Sequence, residues 1–267
     1  MPEGHSRLPD PPVVFDPRRS RGDMARDIDP PQHFFATGAL SCPYIEGRVE
    51  RKLVTELFGR GAPALYNELS RAGFRRSHGL AYRPACTGCG GCVPVRIPVD
   101  SFSESRSQRR IRNANRDLAA AASVARADSE QFRLFQRYQR SRHAESDMAA
   151  MTFGDYRAMI EDSPLPTLLV TLRDNSGDLA GACLADLLDD GLSAVYSFYD
   201  PAAPKRGLGT LLVMGLVDEA RRRGLPYVYL GYWIGASAKM AYKARFRPLE
   251  ALGADGWQIL ALDSLAP

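Results

Sequence analysis

The sequence predicts an α/β (α+β) protein, and four stretches carry the prediction. "TLLVTLRDNSGDLAGACLADLLDDGLSAVYSFYD" holds three apolar runs separated by "RDNSGD" and "LDDG", turn chemistry suited to antiparallel hairpins. "RGLGTLLVMGLVDEARRRG" reads as a glycine turn opening an amphipathic helix, and "LPYVYLGYW" as the strand that follows it. Further upstream, "VPVRIPVDSF" alternates in the manner of a half-buried strand.

Taken in order, residues 1–31 carry seven prolines and many charges with no periodic apolar pattern, which predicts a flexible arm outside the fold. "VERKLVTELFG" predicts a short amphipathic helix, and "APALYNELSRAGF" a second one ending at Gly73. The loop "YRPACTGCGGCVP" and the alternating strand come next. "ESRSQRRIRNANRDLAAAA" predicts a helix: at about 100° per residue, its five arginines fall within an arc of roughly 160°, opposite Ile111, Ala114 and Leu118. A domain boundary is expected near 120–128, separating an N-terminal domain (32–124) with the cysteine loop from a C-terminal domain (125–267). Beyond it, "DSEQFRLFQRYQRSRH" places Phe132, Phe135 and Tyr138 at core spacing on a helix. A last helix, "ASAKMAYKARF", and the runs "PLEAL" and "WQILAL" complete the C-terminal unit.

At 267 residues and 45% hydrophobic content the chain suits a packed globular protein. It has no run of eighteen apolar residues, and its N-terminus carries charges and prolines where a signal peptide needs an apolar region. The odd count of five cysteines, three of them clustered, argues against a secreted disulfide scaffold. A soluble, cytoplasmic protein with reduced thiols is expected. The net charge of +4 is mild, but Arg71 to Arg116 contains ten arginines against only Asp100 and Glu104. A charge run is commonly a solvated face. Here, Arg106, Arg109, Arg110, Arg112 and Arg116 have no carboxylate among them, which favours polyanion binding, with Arg71, Arg75 and Arg76 as additional phosphate contacts.

Cys86, Cys89 and Cys92 recur at a strict interval of three, and Cys42 in "SCPYIEGR" is the candidate fourth ligand. Four thiolates suit zinc or an iron–sulfur cluster equally; a glycine-rich loop with free cysteines is the alternative. Cys183, alone inside a predicted strand, reads as a small core residue. In "KRGLGT" the glycines permit close approach of backbone to phosphate at a helix N-terminus, so Arg206, Gly207 and Gly209 are candidate phosphate contacts. The order hairpin strands, glycine turn, helix, strand, helix, strand resembles the GNAT acyltransferase fold. "AYKARF" is similar to the helix of those enzymes whose tyrosine acts as an acid, here Tyr242, although Arg245 stands where they carry glycine. "RGLGT" alone also fits an acetyl-CoA-dependent acetyltransferase, and the cysteines with the basic helix fit a non-catalytic, metal-containing RNA-binding module.

"CPYIEGR", "FRRSHGLAYRPACTGCGGCVPVRIPVDSF", "SQRRIRNANRDL", "SFYDP", "RGLGT", "LPYVYLGYWI" and "KMAYKARFRPLE" together resemble the short bacterial type of the arginyl-tRNA–protein transferase family, the aspartate/glutamate leucyltransferases. The likeness runs in order from about residue 34 to residue 260. It implies two GNAT-like units, the C-terminal one complete. It also implies an aminoacyltransferase that takes leucine from Leu-tRNA and joins it to the α-amine of proteins beginning with Asp or Glu, marking them for degradation. Aminoacyl-tRNA and such proteins are the implied partners; no membrane, DNA or organic cofactor is expected. Candidates for binding the acceptor's carboxylate are Arg76, His78, Arg83, Lys239 and Arg245, with Lys243 beside them. Tyr196, Tyr232 and Tyr242 are the candidate catalytic hydroxyls, and Tyr232 with Trp233 could stack on a terminal adenine. The missing Ser/His/Asp or Cys/His signature does not exclude an enzyme, because aminoacyl transfer to an amine needs positioning more than a strong base.

Overall fold

The computed structural model describes residues 32–261; the arm expected at 1–31 lies outside the described residues. The first half contains β1 (Phe35–Ala36), β2 (Leu40–Ser41), β3 (Val49–Glu50), β4 (Lys52–Glu56), α1 (Ala62–Arg71), β5 (Arg75–Ser77), β6 (Leu80–Pro84), β7 (Val93–Pro98), α2 (Arg106–Ala114) and β8 (Ala119–Val124). The second half contains α3 (Ser129–Arg142), α4 (Phe153–Glu161), β9 (Thr167–Arg173), β10 (Leu179–Leu187), β11 (Gly191–Tyr199), α5 (Leu208–Arg222), β12 (Tyr227–Trp233), α6 (Ala238–Ala241), β13 (Glu250–Gly253) and β14 (Gly256–Ile259).

An eight-stranded sheet of order β14-β13-β7-β12-β11-β10-β9-β8 forms the frame, confirming the mixed α/β class. The pair β11/β12 is parallel, and its other neighbours are antiparallel. β7, from ahead of the boundary expected near 120–128, lies in this sheet between β13 and β12. A second sheet, β1-β4-β6-β5, carries α1.

Strand periodicity distributes the core to the two faces of the large sheet. Leu168, Val170 and Leu172 of β9, with Cys183 and Ala185 of β10, pack with Leu212, Leu216 and Val217 of α5. The alternate residues Leu169, Ala182 and Leu184 pack with Leu134 and Phe135 of α3 and Tyr156 and Ile160 of α4. Cys183, 2% exposed, is the small core residue that its sequence position implies.

Three expected elements differ. "VERKLVTELFG" is not a helix: β4 pairs antiparallel with β6 from Lys52↔Pro84 to Glu56↔Leu80, and Thr55 and Leu57 turn inward by strand alternation. Ladder pairing to a distant strand overrides its local helical pattern. The helix expected through "LAAAA" stops at α2, whose C-cap Asn115 bonds back to the Ile111 carbonyl. The alanines, good helix formers, form edge strand β8 paired with β9. Gln108 and Asn115, with half-buried Ile111, form the inner side of α2, while Ala114 is exposed. Finally, the helix expected over "ASAKMAYKARF" is the short α6 followed by a 3-10 turn, Tyr242–Arg245. Residues three apart eclipse in that geometry, which lets Lys243 and Phe246 both face the interior.

Candidate active site

The site begins where two parallel strands part. β11 and β12 pair at Gly191↔Tyr227, Leu192↔Val228 and Ser193↔Tyr229, and β12 then breaks register with β7 between Tyr229 and Gly231. Gly231 has φ 77°, a conformation that side-chain-bearing residues resist. Into the gap reaches the Arg75 guanidinium from β5: Nη1 donates to Ser193 Oγ at 2.8 Å and Nη2 to the Ala194 carbonyl. A Cβ at position 231 would stand 2.9 Å from Arg75 Nε, so glycine also makes the room.

This gap opens into an inner lobe of about 370 Å³, walled by Arg75, Tyr196, Tyr232, Tyr242, Lys243 and apolar Leu212, Val213, Leu230 and Met240. An outer lobe of about 450 Å³ is lined by Arg142, Tyr199, Gly207, Leu208, Gly209 and Thr210. The lobes share Tyr138, His143, Lys239 and Tyr242 and form one crevice. His143 is the C-cap of α3.

Electrostatically, the inner lobe holds protonated phenols beside cations. Burial pushes the Tyr242 hydroxyl up to about 12. Burial, then the nearby Arg75 charge, pushes Lys243 down to about 7; its Nζ donates to the Tyr232 carbonyl at 2.6 Å. Burial also lowers His143, aided by Lys239 and Arg142. Tyr196 accepts from Gln139 Nε2 at 2.6 Å, which leaves its own proton available. The Tyr232 hydroxyl instead lies 2.9 Å and 3.1 Å from the carbonyls of Gly73 and Tyr82, and its proton is taken up in bracing β12.

Two sequence-predicted groups meet at the outer lobe. Gly207, in a left-handed conformation at φ 66°, opens α5, whose first amides have no partner within the helix. α2 docks beside it. Arg206 pairs with Asp117 at 2.6 Å and donates to Asn115 Oδ1 at 2.7 Å, fastening the end of α2 to the glycine turn. Arg106, Arg109, Arg110 and Arg116 are exposed, with no carboxylate ion pair among the described residues. Arg112 differs, because Glu104 and Asp218 neutralise it.

Several expected cations are engaged elsewhere. Arg71 pairs with Glu68, Asp189 and Asp190, so its charge is not free for phosphate. Arg76 is buried against Asp186, which corrects both its expected phosphate contact and its candidacy for the acceptor carboxylate. His78 sits exposed in the β5–β6 turn with φ 51°, and its carbonyl accepts from Arg76. Arg83 donates to the Ala72 carbonyl and borders the cysteines. Arg245 lines neither lobe; its carbonyl accepts from Gln108. Lys239 stands at the junction of the lobes.

Cys86, Cys89 and Cys92 line a separate cavity of about 340 Å³ that touches the other side of Tyr232. Burial first, then Cys42, Cys86, Cys89 and Glu50, pushes the Cys92 thiol up to about 11, so the four thiols share one corner. Among the described residues, however, no three His, Cys, Asp or Glu side chains form a group that could hold a metal ion. No helix among them is long and apolar enough to cross a membrane.

Sequence reasoning missed Arg75 as a crevice residue, having grouped it with the phosphate contacts. The signal was present: in "FRRSH", strand alternation sends Arg75 and Arg76 to opposite sides.

Residues 40–110 match the family described as arginine-tRNA-protein transferase, N terminus, and residues 130–253 match its C terminus. The chain is 59% identical over 231 residues to an aspartate/glutamate leucyltransferase of Paramagnetospirillum magneticum, covering 86% of this chain and 95% of that one. It is 54% identical over 230 residues to one of Granulibacter bethesdensis, covering 86% of each. Among solved structures it is similar to L-PGS from Bacillus licheniformis, with a TM-score of 0.43, 15% identity, and coverage of 68% of this chain and 52% of that one.

Proposed function

The chain belongs to the arginine-tRNA–protein transferase family, and from that premise we propose that it transfers leucine from Leu-tRNA to the α-amine of proteins whose first residue is Asp or Glu, a modification that marks them for degradation. The observation that carries this reading is the single crevice, with a phosphate-suited turn and basic helix at its outer end and unpaired cations at its inner end.

In this arrangement the terminal phosphates of the tRNA meet the amides of Gly207 and Gly209, and the acceptor stem runs over Arg106, Arg109, Arg110 and Arg116. The leucyl side chain lies along Leu212, Val213, Leu230 and Met240. The acceptor amine, with a reference pKa of about 7.7 to 8.0, is partly neutral at pH 7 and attacks the ester carbonyl. A C–N bond forms, the bond from carbonyl carbon to ribose oxygen breaks, and the proton lost by the amine is balanced by one gained at the ribose oxygen. In this reading Tyr242 relays the proton, giving its phenolic hydrogen to the ribose oxygen and taking up the one the amine loses, while Tyr196 donates to the carbonyl oxygen as negative charge develops. Tyr232 holds the strand end and, through its carbonyl, Lys243. Positioning of the two reactants supplies the larger part, roughly 7–11 kcal/mol when the geometry is good. No step runs through the cysteine corner.

An acetyl-CoA-dependent reaction rests on the glycine turn alone, whereas the basic helix fastened beside that turn suits a longer polyanion. The test is incubation of the purified protein with Leu-tRNA and peptides beginning with Asp, Glu or Ala. Leucine is expected on the first two; its absence from both refutes the reading.

A further inference from the structure

The inner lobe contains a cation that forms no ion pair with a carboxylate among the described residues. Arg75 is half-buried in the gap between β11 and β12, with its two observed bonds to neutral acceptors, Ser193 Oγ and the Ala194 carbonyl. A guanidinium has five N–H donors, so three remain for another partner. The adjacent carboxylate, Asp186, is consumed by Arg76 through hydrogen bonds of 2.6 to 3.0 Å. Removing a guanidinium from water without a counter-charge is costly, and a ligand anion offsets that cost.

Other cations answer the requirement less well. Lys243 is committed to the Tyr232 carbonyl, Lys239 stands at the lobe junction, and Arg83 belongs to the cysteine cavity. Among the described residues, Arg75 alone combines a fixed fork, spare donors and a place at the inner end of the crevice. Its fixing is built into the backbone: Gly231 lacks the Cβ that would displace Nε, and Ser193 is the last residue of β11 paired with β12. A planar fork recognises a carboxylate through two parallel bonds, which a neutral amide of the same shape does not match.

We infer that Arg75 binds the side-chain carboxylate of the acceptor's first residue and so determines the selectivity of the enzyme for acidic N-termini. The inference rests on the transfer reaction proposed above and adds the residue that reads the substrate. Bound there, the carboxylate anchors the acceptor's first residue at the inner end of the crevice, with its α-amine directed toward Tyr242.

The experiment compares kcat/KM for peptides beginning with Asp and with Asn in the wild type, Arg75→Gln, Arg75→Lys and Ser193→Ala, together with the affinity of each variant for tRNA. Arg75→Gln is expected to lose about 10²-fold on the Asp peptide and only a few-fold on the Asn peptide, with tRNA affinity retained. Arg75→Lys keeps the charge without the fork, and Ser193→Ala loosens the fork; each should reduce the Asp/Asn ratio by about tenfold. Equal losses on both peptides, or an unchanged ratio, overturn the inference because a merely structural role affects both substrates alike. If Arg75→Gln does not fold, the other two variants decide it: a full wild-type ratio in both overturns it. A wild type that transfers leucine to neither peptide refutes the proposed reaction itself, a result distinct from failure of the Arg75 assignment alone.

Discussion

Arg76 and Asp186 face each other inside the protein, with Nη2 2.6 Å from Oδ1, Nε 3.0 Å from both carboxylate oxygens, and side chains 1% and 0% exposed. The pair joins β5 of the small sheet to β10 of the large one. Removing one partner strands the other as a buried charge. Asp186→Asn is therefore expected to destabilise by about 3–5 kcal/mol, whereas the double variant Arg76→Met, Asp186→Leu loses much less because no charge is left alone. Urea unfolding of the single and double variants checks this, and additive losses would contradict it.

The arginines of α2 separate into two groups by their partners. Replacing Arg106, Arg109, Arg110 and Arg116 together with Gln should weaken tRNA binding and reduce the slope of log K against log salt by roughly 0.7–0.9 for each phosphate no longer neutralised. Arg112→Gln should change that slope much less, since Glu104 and Asp218 already neutralise its charge. Binding titrations at four or five salt concentrations distinguish the groups.

The sequence reveals most where local chemistry and tertiary structure agree. The hairpins of β9 to β11 follow their turn residues, and the Gly207 turn opens α5 where the glycines predict it. Agreement fails where a distant partner decides: β4 forms a ladder with β6, and four alanines join a sheet edge because β9 presents one. The outer lobe was legible because its turn and basic helix lie in compact motifs. The inner lobe was legible only in part: Tyr196, Tyr232, Tyr242, Lys239 and Lys243 stand among the sequence candidates, whereas Arg75 was grouped with the phosphate contacts. Its Arg75 and Lys243 are 168 positions apart (243 − 75), and no spacing rule links β5 to the 3-10 turn after α6. Charge partners were invisible for the same reason: nothing near Arg76 in the sequence marks Asp186 as the carboxylate that occupies it.

Tyr242 is 39% exposed within the crevice, and its hydroxyl, raised to about 12, stays protonated through the working range. Tyr242→Phe keeps the ring and removes the donor. Its kcat should fall by about 10- to 100-fold, with the KM for both substrates changing less than threefold, as expected when an interaction strengthens only in the transition state. Gln139→Leu, which leaves Tyr196 without its donor, should produce a smaller loss. Steady-state rates with saturating Leu-tRNA provide the comparison.

Lys243 gives the fold a pH dependence of definite sign. In the folded protein, burial and the neighbouring Arg75 charge bring its ammonium down to about 7, against 10.5 for an ordinary lysine. Between those values the unfolded chain holds the proton that the folded chain has released, so unfolding takes up a proton and stability rises with pH. Below pH 7 both states are protonated, and the cost of the buried charge is present in full. Lys243→Met removes the titrating group while keeping an unbranched side chain at the same place. The stability of the wild type relative to Lys243→Met should therefore improve by about 2 kcal/mol between pH 7 and pH 9, near the ~1.4 kcal/mol per unit that one proton allows. Comparing the two proteins cancels the thiols and phenols that titrate in both. Urea unfolding at pH 7, 8 and 9 measures the difference, and a constant gap would mean that Lys243 titrates as a solvated lysine does, with the field at the inner end of the crevice weaker than its burial requires.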